Sequence, residues 1–133
     1  MRSVSKLLVL ICTVTLAALN SGCFLEPVVD GDSVVEYVVS GSAENVSIEF
    51  TDDAGAIVQI REYDLLNPDG TNREWVYRYE TAEPNFFVSL GATNLDEIGS
   101  VTVTIYRDGD VFRVQRRTGS GAYAYVRGYI NRE

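Results

Sequence analysis

From Val34 onward the chain alternates short runs of β-branched and aromatic residues with clusters of Gly, Asp, Asn and Ser. The runs are Val34–Ser40, Asn45–Thr51, Ala56–Tyr63, Arg73–Glu80, Phe86–Gly91, Ser100–Arg107, Val111–Arg117 and Ala122–Ile130. Several alternate with period two. Val46, Ile48 and Phe50 fall on one side and Ser47, Glu49 and Thr51 on the other. Val101, Val103 and Ile105 oppose Thr102 and Thr104, and Phe112 and Val114 oppose Arg113 and Gln115. A strand with one apolar and one polar face belongs to an antiparallel sheet that is buried on one side only. The clusters between the runs supply positive-φ positions and side-chain-to-backbone bonds, as tight turns require. Asp108-Gly109 is the sharpest hairpin signal among them. The pattern predicts an all-β fold, an antiparallel sandwich of immunoglobulin-like type with seven to eight strands. One helical turn is expected over Asn94–Ile98.

The first 33 residues follow a different pattern. Arg2 and Lys6 precede an uncharged apolar run, Leu7–Leu19, of 13 residues. As a helix this run would reach roughly 20 Å, short of a bilayer core about 30 Å thick. A positive flank, a short apolar core and small residues (Ser21, Gly22) form the order of an export signal. The string Leu19-Asn20-Ser21-Gly22-Cys23-Phe24 resembles a bacterial lipobox, in which small residues precede a cysteine that is acylated and becomes the new N-terminus. Asn20 stands where that pattern usually has an apolar residue, with Leu19 displaced one position upstream. The resemblance implies a signal peptide over 1–22, a lipidated Cys23, a tether over 23–33 and a sandwich domain over 34–133. An ordinary signal peptide cut near Gly22 and an uncleaved anchor are the alternatives. Phe24 carries no aspartate-type retention cue, so in a two-membrane cell the outer membrane is favoured.

Export changes both charge and cysteine count. The full chain carries 11 basic and 19 acidic residues, a net charge of -8. Arg2 and Lys6 leave with the signal and no acidic residue does, so the mature part has 9 cations against 19 anions, or -10. Such a domain repels phosphate backbones, and nucleic acid is not expected as a partner. Cys12 lies within the signal core. With Cys23 acylated no pair is left for a disulfide, so the domain must be held by its hydrophobic core.

The segments Val35–Ala43 and Val46–Asp52 resemble the MmpS-like family of small β-sandwich proteins. The resemblance continues through Trp75, the stretch Gly99–Tyr106 before Asp108-Gly109, and the closing run Gly121–Ile130. It implies a sandwich over most of residues 34–130. It also implies an envelope-anchored accessory to a transporter that exports lipids, here anchored by a cysteine rather than a transmembrane helix.

The chain has no histidine, which removes His-based general bases, Ser-His triads and His metal sites. No catalytic residue, metal site or cofactor is expected, and the chain is read as a non-enzyme. Asp52, Asp53, Asp69, Asp108 and Asp110 place oxygen donors in turns. None has the spacing of a calcium loop, and hairpin chemistry is the expected role. The last run offers the candidate binding face. Ala122, Ala124, Val126, Gly128 and Ile130 are expected to face inward, leaving Tyr123, Tyr125, Arg127 and Tyr129 outside, beside Arg113, Gln115 and Arg117. Tyr and Arg anchor interfaces and stack on sugars or peptides. The opposing reading has these tyrosines shielding a sheet edge or facing inward. Trp75 is expected in the core rather than on a ligand. Two functions follow: an envelope lipoprotein that contacts a protein partner, or a glycan- or lipid-binding module that uses the Tyr/Arg face.

Overall fold

The computed structural model describes residues 32–131. The signal segment, Cys23 and most of the tether lie outside the described residues. The strands are β1 (Ser33–Ser40), β2 (Asn45–Thr51), β3 (Ile57–Asp64), β4 (Trp75–Thr81), β5 (Asn85–Asn94), β6 (Ser100–Arg107), β7 (Asp110–Thr118) and β8 (Tyr123–Asn131). They form two antiparallel sheets of four, ordered β4-β1-β6-β7 (sheet A) and β3-β2-β5-β8 (sheet B). Each predicted run is a strand, and the sandwich stands. Consecutive strands β1 and β2 lie in different sheets. An immunoglobulin constant-type domain puts its first two strands side by side, so the two folds share layers rather than strand order.

Period-two patterning builds the interior. Val35, Tyr37 and Val39 of β1 and Val101, Val103 and Ile105 of β6 line sheet A, all fully buried. Val46, Ile48, Phe50, Val88, Leu90, Ala92, Ala124, Val126 and Ile130 line sheet B. Trp75 joins this core as expected, 5.0 Å from Phe50 between ring centroids and stacked on Tyr77 at 6.3 Å. Tyr37 is the centre of this aromatic column, 6.0 Å from Phe50 and 5.9 Å from Tyr77. Its buried hydroxyl donates to the carbonyl of Thr51 at 2.8 Å. Burial, reinforced by Tyr79, pushes that phenol far above its ordinary range, so it stays a neutral donor.

The turns are made as the acidic residues suggest. Asp108 and Gly109 both have positive φ (51° and 89°) between the paired residues Arg107 and Asp110, the conformation of a two-residue primed hairpin. Asp108 also pairs with β1: its N–H donates to Val34 O and its Oδ1 accepts from Val34 N, both at 2.8 Å. Asp52 Oδ1 accepts from Ala54 N and Ala56 N at 2.9 Å. Asp69 Oδ1 accepts from the Thr71 backbone N–H and hydroxyl, which hold its carboxyl below the usual range. Among the described residues, no three acidic or cysteine side chains converge as a metal-binding group.

Two expectations are corrected. Asn94–Ile98 is not a helical turn: β5 stays extended through Asn94, and residues 96–98 form a bend. The Asn94 side chain, which is buried, organises that bend. Its Nδ2 donates to Gly119 O (2.8 Å), Ile98 O (3.0 Å) and Gly99 O (3.3 Å), and its Oδ1 accepts from Asp96 N at 2.8 Å. A helical turn would leave those carbonyls without this donor.

The second correction concerns β7. Ile105 pairs with Arg113 but Tyr106 pairs with Val111, leaving Phe112 as the extra residue of a bulge. Beyond it the alternation shifts by one. Val114, opposite Thr104, is 57% exposed, and Gln115, opposite Val103, is half-buried. The expected pairing of Phe112 with Val114 on the inner side therefore fails.

Candidate functional site: the outer face of sheet B

Cross-strand pairing orders the outer face of sheet B into rows. Gln59, Glu49, Gly91 and Tyr125 form one row across β3, β2, β5 and β8. Ser47, Thr93 and Tyr123 form the next. On the other side come Ser89 beside Arg127, then Phe87 beside Tyr129. Ala124, Val126 and Ile130 of β8 are buried. The four candidate residues thus face outward, as the alternation predicts: Tyr123, Arg127 and Tyr129 are exposed and Tyr125 is half-buried. The inward-tyrosine alternative is excluded. β8 is nonetheless an edge strand of its sheet.

The row is divided in two. At its far end Tyr129, 67% exposed, packs on Phe87 at 5.2 Å between centroids, with Arg127 next to it on the strand. At its near end Tyr123 and Tyr125 stack nearly parallel, 5.7 Å apart and 15° inclined, across Gly91. A Cβ at Gly91 would lie 2.9 Å from the Tyr123 hydroxyl oxygen and 3.0 Å from the Tyr125 ring. Glycine is what lets the rings lie down over β5. Desolvation, then the charge of Glu49, pushes the Tyr123 phenol above its ordinary range.

The Tyr123 ring walls a trough of about 480 Å³ that runs across the sheet to β3. Its lining includes Ser47, Glu49, Gln59, Arg61, Gly91 and Thr93. The sequence reading missed this side of the site. The signal available was Gly91, an interior strand glycine that marks close approach of another group.

Arg113, Gln115 and Arg117 do not extend the tyrosine row. They belong to sheet A and share the side of Ile105, Val103 and Val101. Gln115 Oε1 accepts from the backbone N–H of Tyr125 at 3.0 Å. The Arg113 guanidinium lies over the Phe112 ring at 4.2 Å, and both side chains occupy the space beside Gly128. Gln115, Arg113 and Phe112 close the seam between β7 and β8.

No protein-family model matches the chain, and no curated protein matches it. What the site can do therefore follows from its chemistry. It offers two surfaces on one sheet: an exposed aromatic-arginine patch, and a polar trough with an aromatic wall.

Proposed function

We propose that the chain is an exported, non-catalytic lipoprotein, held to the cell envelope by a lipid on Cys23, that presents its sandwich to a protein partner. The observation that carries this reading is the patch of Arg127, Tyr129 and Phe87. Tyr129 and Arg127 are exposed, Tyr129 packs on the half-buried Phe87 ring, and Tyr and Arg are the residue types that dominate binding energy at interfaces. Cys23 itself lies outside the described residues, and the anchor rests on the export signal and the lipobox resemblance. The MmpS-like resemblance supports an accessory role in a lipid-export complex, and an immunoglobulin-like layering suits such a contact module. The outer membrane is the proposed site in a two-membrane cell, with no cofactor and no nucleic-acid partner. The trough at Tyr123 supports a second role on the same sheet, small-ligand binding.

The partner reading is tested by co-purification. Full-length acylated protein, extracted from native envelope and analysed by mass spectrometry, should retain a membrane protein. Arg127→Glu combined with Tyr129→Ala should reduce that recovery at least about tenfold, since hot-spot residues each contribute 2 kcal/mol or so. Equal recovery with the double variant would rule the patch out.

A further inference from the structure

We propose that the trough between β3 and β8 binds a neutral oligosaccharide. Its size, about 480 Å³, falls within the roughly 300–1,000 Å³ of small-molecule sites. Its chemistry is more restrictive. Glu49 is a pure acceptor, Arg61 a pure donor, and Gln59 and Thr93 do both. Vicinal sugar hydroxyls each donate and accept, so they can satisfy such a mixed set. An acyl chain cannot: it would strip water from these groups and leave them unpaired.

Charge narrows the class further. Arg61 and Glu49 offset one another within the trough, and the surrounding domain is acidic. A phosphate-bearing ligand would meet Glu49 and the net negative field, whereas an uncharged one would not. The aromatic wall supplies the remaining requirement. Tyr123 lines the trough beside Gly91 with Tyr125 stacked behind it, and the C–H face of a pyranose packs on such a ring. The backbone beneath these rings is fixed by the sheet, since Tyr125 pairs with Gly91 and Tyr123 with Thr93. This inference is independent of the protein-partner reading, because it uses the Tyr123 end of β8 and not the Arg127–Tyr129 patch.

The test is a titration of the detergent-solubilised full chain, with ring-labelled tyrosine, against cellohexaose, xylohexaose, mannohexaose and chitohexaose. Of the eight tyrosines, Tyr123 and Tyr125 should shift with at least one of these sugars. Glu49→Gln keeps the shape and removes the charge-assisted bond, and should weaken binding about tenfold. Tyr123→Ala should weaken it by about the same factor. Glu49→Gln keeps the test decisive if Tyr123→Ala fails to fold. No response to any of the four sugars would overturn the proposal, as would binding that survives both substitutions. A response only to phosphatidylglycerol vesicles would assign the trough to an anionic headgroup instead and equally overturn it.

Discussion

Gly41→Ala is expected to lower the unfolding free energy by about 4 kcal/mol, a large share of the roughly 5–15 kcal/mol that holds a domain folded. Gly41 has φ of 142° where β1 leaves sheet A for β2 in sheet B. Any Cβ there would collide with the carbonyl oxygen of Ser100 and lie 2.9 Å from the Ser100 carbonyl carbon. These are backbone atoms at the start of β6, so no rotamer change relieves the clash. The crossover between sheets would have to move. Gly55→Ala is the matched control: its φ is also positive, at 83°, but nothing lies within 4 Å. It should cost only about 1 kcal/mol of backbone strain. Denaturant unfolding of the two full-length variants, followed by circular dichroism, should separate them by about 3 kcal/mol. Equal midpoints would mean that the crossover is not packed as described.

The second large effect is expected at Asn94. Asn94→Ala removes the amide that donates to Ile98, Gly99 and Gly119 together, and should cost about 3 kcal/mol. The loss spreads along a chain of bonds. Asp96, held by Asn94 Oδ1, in turn accepts from Glu44 N at 2.7 Å and Asn45 N at 2.9 Å. Hydrogen exchange should therefore quicken at Glu44, Asn45 and Asp96 as well as at the loop. Asn94→Asp should do no better than alanine, because a carboxylate cannot donate to carbonyls and would face three of them. A loss below about 1 kcal/mol, without faster exchange at Glu44 and Asn45, would contradict this role.

These two positions also mark where the sequence is legible and where it is not. Strands were readable because alternation and β-branching act locally: Val101, Val103 and Ile105 have to share a face wherever the strand lies. The outward placement of Tyr123, Tyr125, Arg127 and Tyr129 followed for the same reason. The Asp108-Gly109 hairpin was readable because its backbone conformation is set by the two residues themselves. Asn94 was misread because its role is non-local. Its amide serves Gly119, 25 residues away, and neither propensity nor spacing reveals that bond. The faces of β7 were misread because one bulge residue, Phe112, shifts the alternation after it.

The trough shows the same limit at the site. Glu49, Gln59 and Gly91 come from three strands and become neighbours only through sheet B's register. Sequence order puts Tyr123 and Arg113 in adjacent strands and so on one face. The chain switches sheets between β7 and β8, which separates them. The polar trough was therefore beyond reach of the pattern, whereas Tyr123, its aromatic wall, was not.

We propose that this sandwich works at the envelope, carried by a lipid on Cys23. The most direct measurement is the intact mass of the protein extracted from its native envelope. The account predicts a chain that begins at Cys23 and carries an acyl-bearing modification on that residue. It also predicts that Cys23→Ser leaves the detergent phase or accumulates as unprocessed precursor. A chain that still begins at Met1, or an unmodified thiol at Cys23 with unchanged detergent partitioning in the Cys23→Ser variant, would contradict it.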